Sequence, residues 1–401
     1  MSKLKTLLFA AGLGFLATLN TSLADEPTEH VQFKIRRGEV PCRGVNLGSW
    51  LVAEHWMSYN SSLWNTVPKD VALRGEFATM QHLGQAHGDA AFQNHWASWI
   101  TEDDFAEIAT ASLNTVRIPV GFWIRYDDPN LQHREVFYPK GGLRYLDLAI
   151  QWGEKYNLSV LLSLHAHQGS QNGFEHSAPL LFNESHWSDS DAFQQNSVDL
   201  AKFLAARYAA SSAFLGMSLM NEPHRTTTPL AVQSYFKRAY AEVRSGVNRS
   251  DCVLTVAPML SEQDGDELAS FMVGAADKNL PVYYNVWHER HKYYFAGFEA
   301  NNSTTTTESQ LMDVVKNYRA SSIYKWTGNP LFFGEWSLAA GIQFASTEDF
   351  RAFGAAQLES LGGVRSGWTF WSWRHSDATT MRTGWSLQRL LKDGDLVLSA
   401  K

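Results

Sequence analysis

Residues 101–120 read Thr-Glu-Asp-Asp-Phe-Ala-Glu-Ile-Ala-Thr-Ala-Ser-Leu-Asn-Thr-Val-Arg-Ile-Pro-Val. Thr101 with Asp104 three residues on is a helix-opening capping pair. Apolar residues at three-to-four spacing then predict a helix over Glu102–Ser112. The β-branched run that follows, Thr115–Val120, predicts a buried strand.

This unit recurs in both directions along the chain. Strands are expected at Cys42–Leu47, Thr115–Val120, Ser159–His165, Phe214–Met220, Cys252–Ala257, Val282–His288, Leu331–Trp336 and Trp368–Trp373. Besides Glu102–Ser112, helices are expected at Gly142–Tyr156, Asp191–Tyr208, Leu230–Val247, Asp266–Met272, Glu308–Ser321, Thr347–Ser360 and Trp385–Lys392. Strands alternating with helices imply a parallel sheet, and eight such units close a (β/α)8 TIM barrel. An open doubly wound sheet would place a Gly-rich phosphate loop after its first strand, and Asn46-Leu47-Gly48-Ser49-Trp50 is not one. The expectation is one barrel domain over residues 25–401. Its long loops follow strands 1, 3 and 6, at the C-terminal face where such barrels build active sites.

The chain has 401 residues, 44% of them hydrophobic and 19% charged, with 2 Cys, which excludes a disordered chain and a small disulfide scaffold. A net charge of −7 without a basic tract argues against a nucleic-acid partner. Aromatics reach 13%, a surplus suited to stacking on sugar rings.

Lys3 and Lys5 precede an apolar run, Leu7 to Ala17, and Ser22-Leu23-Ala24 offers a small-x-small cleavage site. Residues 1–24 therefore read as a signal peptide, too short for a membrane anchor. The mature protein is expected to be secreted, extracellular or in a cell wall, and a monomer by default. Sequons at Asn60, Asn183, Asn248 and Asn302 agree. For Cys42 and Cys252, a bridge and two buried free thiols both stay open.

The end of strand 4 reads Leu219-Met220-Asn221-Glu222-Pro223-His224, and the end of strand 7 Phe332-Phe333-Gly334-Glu335-Trp336-Ser337. Each places a carboxylate at the C-terminal rim. Two carboxylates facing one pocket suit glycosidic bond cleavage, one protonated to donate and one ionised to attack. Asn221 is placed to hydrogen-bond a sugar 2-hydroxyl. No metal-binding motif accompanies these residues, and the chemistry needs no cofactor.

Asn-Glu-Pro on strand 4 with a Glu ending strand 7 resembles glycoside hydrolase family 5. Arg43-Gly44-Val45-Asn46-Leu47-Gly48-Ser49-Trp50, Gly169-Ser170-Gln171-Asn172-Gly173-Phe174 and Phe370-Trp371-Ser372-Trp373-Arg374 are similar to stretches of the fungal-type exo-β-1,3-glucanases. The resemblance runs from about residue 33 to 398. It implies Glu222 as general acid/base, Glu335 as nucleophile and Arg117 as the residue that orients Glu335. It implies His165, His288 and Trp371 as lining of the sugar site, and Glu54 as the residue that closes the pocket on a terminal sugar. Two stretches depart from the family. No Tyr stands two residues after His288, which leaves Tyr293 or Tyr294 to serve, and His165-Ala166-His167-Gln168 replaces the usual run after strand 3.

The resulting expectation is a secreted retaining enzyme that takes glucose from the non-reducing end of β-1,3-glucan. Its carboxyls should lie about 5–5.5 Å apart, against roughly 6.5–9.5 Å for inversion. The rivals are an endo-acting β-1,4- or β-1,6-glucanase, or a glucan-binding protein without turnover.

Overall fold

A computed structural model describes residues 29–131, 137–247, 249–274, 283–295, 307–376 and 383–398. The proposed signal peptide and the sequons at Asn248 and Asn302 lie outside these residues, whereas Asn60 and Asn183 are exposed. No described helix is long and apolar enough to cross a membrane.

Eight strands form a closed barrel in chain order. They are β1 (Cys42–Asn46), β2 (Thr115–Gly121), β3 (Ser159–Ala166), β4 (Phe214–Ser218), β5 (Val253–Val256), β6 (Val286–Tyr294), β7 (Leu331–Ala340) and β8 (Gly367–Phe370). All neighbours pair in parallel, and β8 closes the ring against β1 with Cys42 opposite Gly367. The expected (β/α)8 barrel is the observed fold. The Thr101–Asp104 capping box forms, with Thr101 N donating to Asp104 Oδ2 at 2.8 Å.

Helices cover the outside at Glu102–Thr110, Gly142–Tyr156, Asp191–Tyr208, Pro229–Val243, Glu308–Ser321, Thr347–Leu361 and Leu387–Lys392. The helix expected at Asp266–Met272 is absent, and that stretch is a series of turns. Seven residues are too few to nucleate a helix unaided. Asn329 Nδ2 instead donates to the carbonyls of Phe271 and Met272, both at 3.2 Å.

A short helix that the sequence reading did not foresee, Val31–Arg36, closes the N-terminal end of the barrel. Its Ile35 packs with Cys42, Leu161, Leu215, Val253, Trp287 and Phe332. Burial of these side chains, roughly 1.5–3 kcal/mol each, makes that end of the barrel solid and leaves the polar chemistry to the other. Both cysteines are buried and free.

β6 differs most from expectation. It was expected to end at His288, yet it continues to Tyr294. Along it, Trp287, Glu289, His291 and Tyr293 turn to the barrel interior. His288, Arg290 and Lys292 turn outward onto Trp326 and Tyr318.

Candidate active site

Glu335 lies within β7, as expected, although that strand runs four residues beyond its expected end. Glu222 follows β4, whose pairing continues past Ser218 through Leu219 N to Thr255 O (3.1 Å) and Asn221 N to Leu164 O (3.3 Å). Glu222 itself sits at φ 46°, a left-handed conformation that is strained for a side-chain-bearing residue. One oxygen of Glu222, one of Glu335 and a ring nitrogen of His291 lie within 4.8 Å of one another. By distance, these three groups could ligate a cation. They are already joined, however: His291 Nδ1 is 2.7 Å from Glu222 Oε1 and 3.4 Å from Glu335 Oε2.

Arg117 is fully buried at the centre of this network. Its Nη1 donates to Glu335 Oε1 (3.0 Å) and Asn46 Oδ1 (2.8 Å). Its Nη2 reaches Glu289 Oε1 (2.9 Å) and Asn221 Oδ1 (3.2 Å). Tyr293 donates its hydroxyl to Glu335 Oε2 at 2.8 Å. Burial alone would raise the Glu289 carboxyl, but the charge of Arg117 and the hydrogen bond from His291 hold it down to about 2. Burial likewise opposes charge on His291, yet Glu335, Glu222 and Glu289 around it raise it to about 10. Glu222 feels burial as well, but the cationic His291 wins and lowers it. Glu335 is raised by burial and by the charge of Glu222, against the pull of His291 and Arg117. These opposing shifts favour the proton of this group on His291 over Glu222.

Above the carboxylates lies a cavity of about 750 Å³, lined in part by Glu54, Trp56, Glu175, His176, Glu222 and His291. Glu54 accepts from Trp56 Nε1 at 2.9 Å, while its Oε1, Glu175 Oε1 and Asn221 Nδ2 are buried without a partner. Buried polar atoms are nearly always satisfied, so such orphans beside a cavity suit the hydroxyls of a ligand. Burial raises both acids, Glu54 also through the charge of Glu175, and Glu175 is pushed up to about 8. Trp371 stacks on His165 at 5.6 Å with 7° between the planes, and His165 meets His176 edge-on at 5.3 Å.

The matching family is Cellulase (glycosyl hydrolase family 5), over residues 80–377. The chain belongs to glycoside hydrolase family 5. It is 28% identical to the glucan 1,3-beta-glucosidase of Blumeria graminis, over 92% of this chain and 89% of that protein. It is also 28% identical to the glucan endo-1,6-beta-glucosidase B of Emericella nidulans, over 83% of this chain and 80% of that one. The rutinosidase of Aspergillus niger has the same fold, with a TM-score of 0.71 at 18% identity over 90% of this chain and 99% of that one.

This family 5 hydrolase brings Glu222, Glu335, Arg117 and Asn221 together, with Glu54 on the same cavity and His165 against Trp371. It does not bring His288 there. The ring of His288 lies 4.1 Å from that of Trp326 on the outer face of β6, where burial lowers its pKa to about 3. The position beside the carboxylates is filled by His291, three residues on. That shift also supplies the Tyr: Tyr293 stands two residues after His291. The altered run after β3 is structural, since His167 Nδ1 pairs with Ser197 Oγ at 2.8 Å and its ring packs on Trp187 and Tyr235. Sequence reasoning also missed Asn46, Glu175, His176 and Glu289. Alternation along 287–293 was the available signal for Glu289 and His291. None marked His176, whose Nε2 accepts from Asn172 Nδ2 (3.0 Å) and lies 3.6 Å from Glu222 Oε2.

Proposed function

We propose that this hydrolase is a secreted, retaining β-glucosidase that releases glucose from the non-reducing end of β-1,3-glucans. The observation that carries the reading is the approach of Glu222 and Glu335, with an oxygen of each within 4.8 Å. That spacing suits the retaining separation of about 5–5.5 Å and leaves no room for the attacking water of inversion. Exo action is supported by Glu54, a buried acid with an orphan oxygen at the cavity, suited to the hydroxyls of a chain end. Secretion rests on residues 1–24.

In this mechanism Glu335 attacks the anomeric carbon, and Glu222 gives its proton to the leaving oxygen as the C1–O bond breaks. Water then attacks the same carbon and gives a proton back to Glu222, and Glu335 departs. Arg117 and Tyr293 keep negative charge on Glu335. Asn221 Nδ2 donates to the 2-hydroxyl, a contact that strengthens in the transition state. Glu222 must carry the proton at the moment of reaction. The 2.7 Å contact with His291 Nδ1 provides it, because moving one proton along that bond changes no net charge.

A second reading, endo action on β-1,6-glucan, has one observation in its favour. Asp264, Gly265 and Lys292 line both the catalytic cavity and a second groove of about 640 Å³ leading to Trp326. Product analysis separates the two. Wild type on laminarin should release β-glucose from the first minutes, and Glu335→Gln should release nothing. Early oligosaccharides, or cleavage of β-1,6-glucan with laminarin untouched, would overturn the exo-β-1,3 reading.

A further inference from the structure

Glu289 is a buried acid that neither attacks the sugar nor protonates the leaving group. It stands two residues before His291 on β6, so both side chains turn to the barrel interior. Its Oε1 meets two cations, Arg117 Nη2 at 2.9 Å and His291 Nε2 at 3.4 Å. Its Oε2 accepts the hydroxyl of Thr255 on β5. The carboxylate is thus pinned from β2 and β5, and it is 1% exposed. The two nitrogens of the His291 ring face different acids. Nδ1 lies 2.7 Å from Glu222 Oε1 and 3.4 Å from Glu335 Oε2, and Nε2 lies against Glu289. Further titratable groups about the ring are Arg117 on β2, His165 on β3, His176 in the loop that follows, and Tyr293 on β6. Among the described residues, only Glu289 offers Nε2 a carboxylate.

A neutral imidazole keeps one proton, and the partner at one nitrogen decides which nitrogen keeps it. Burial opposes charge on Glu289, yet Arg117 and His291 hold it down to about 2, so it only accepts. It therefore holds a proton on Nε2. The proton on Nδ1 is then the one free to leave, and Nδ1 faces Glu222. Without an acceptor at Nε2, a ring left neutral would keep its proton on Nδ1, where two carboxylates attract it. Glu222 would then receive none.

We propose that Glu289 is a positioning residue for the hydrolysis: it fixes the proton of His291 on Nε2, so that the Nδ1 proton is the one passed to Glu222. The inference rests on the reading of Glu222 as the acid that protonates the leaving oxygen. One proton moves along one bond. The Nδ1–H bond breaks, a bond from that proton to Glu222 Oε1 forms, and Nε2–H stays on the ring beside Glu289. After water has returned a proton to Glu222 in the second step, the reverse shift restores the imidazolium.

The test compares kcat/KM for laminaribiose and 2,4-dinitrophenyl β-glucoside, because kcat/KM reads the reaction only up to the glycosyl-enzyme. Glucose needs a proton to leave and dinitrophenolate does not. Glu289→Gln should lose roughly tenfold or more beyond its dinitrophenyl loss on laminaribiose, a fraction of what general acid catalysis contributes. A merely structural disturbance of Arg117 and Glu335 would slow both substrates alike. The basic limb of the laminaribiose pH profile should also move to lower pH by about one pH unit or more, since an anion beside the imidazolium has gone. Glu289→Asp, which keeps the charge, should return the limb toward wild type. If Glu289→Gln does not fold, Thr255→Val removes only the hydroxyl that pins Oε2 and should show the same split at severalfold size. Equal losses on the two substrates, or a basic limb that stays in place, overturn the proposal. Glu222→Ala reads the acid itself by the same split. Equal losses there remove the acid role of Glu222, whereas a split there with none in Glu289→Gln removes the role of Glu289 alone.

Discussion

Arg117 joins Asn46, Asn221, Glu289 and Glu335, residues from four other parts of the barrel, without touching water. An apolar replacement would leave Glu289 and Glu335 buried without their cation. Breaking a buried pair in this way costs about 3–5 kcal/mol. Arg117→Met should therefore lower unfolding free energy by about that much in a urea titration, besides removing activity. Its importance was legible in the sequence, since an Arg inside Thr115–Val120 needs a buried partner. Glu222, Glu335 and Asn221 were legible too, because each ends an apolar run. His291 was not. His288 comes first after the apolar stretch, and Glu289-Arg290-His291-Lys292 reads as a solvated loop. Only tertiary partners neutralise it: Arg117 for Glu289, Asp264 for Lys292, and the Trp326 ring for Arg290.

At the scale of elements, the register between β6 and β7 makes the site. Arg290 lies opposite Phe333 and His291 opposite Glu335, so Gly334 is skipped. This irregularity brings the imidazole level with the carboxylate. Gly334 is required because a Cβ there would lie 1.9 Å from Glu289 Oε1, and its carbonyl accepts from Asn46 Nδ2 at 2.9 Å. Gly334→Ala must push Glu289 off Arg117. It should lower kcat by at least tenfold and reduce Tm, and kinetics beside thermal unfolding would read both. The helices over Gly142–Tyr156, Asp191–Tyr208 and Glu308–Ser321 match their expected bounds, because their apolar periodicity agrees with their packing, and the last also has a Thr307–Gln310 capping box. The expected helix at Asp266–Met272 had periodicity but too little length. The Val31–Arg36 helix had neither, and it exists because the barrel's apolar end needs a cover.

For the whole molecule, buried ionisable groups set the pH range of stability. His291, raised to about 10, contributes stability that is complete below its ordinary 6.5 and lost as pH rises through 10. Glu175, raised to about 8 by burial, also holds a proton more firmly in the folded state, so stability falls between 4.5 and 8. Glu289, depressed to about 2, contributes stability complete above 4.5 and lost as pH falls through 2. His95 at about 4 and His167 at about 3, both lowered by burial, stay neutral when folded and also weaken the protein as acid is added. Tm should peak between about pH 4.5 and 6.5 and decline on both sides, as scanning calorimetry across buffers would show. A Tm still rising from pH 7 to 9 would contradict the assignment of the buried protons.

The central claim is that Glu335 forms a covalent bond to the sugar. Incubation with an activated 2-deoxy-2-fluoro-β-glucoside slows release of any such intermediate, and mass spectrometry of the digested protein then locates it. The account predicts a fluoroglucosyl adduct on the peptide carrying Glu335, formed by wild type and absent in Glu335→Gln. An adduct on another residue, or α-glucose as the first product with no adduct, would contradict it.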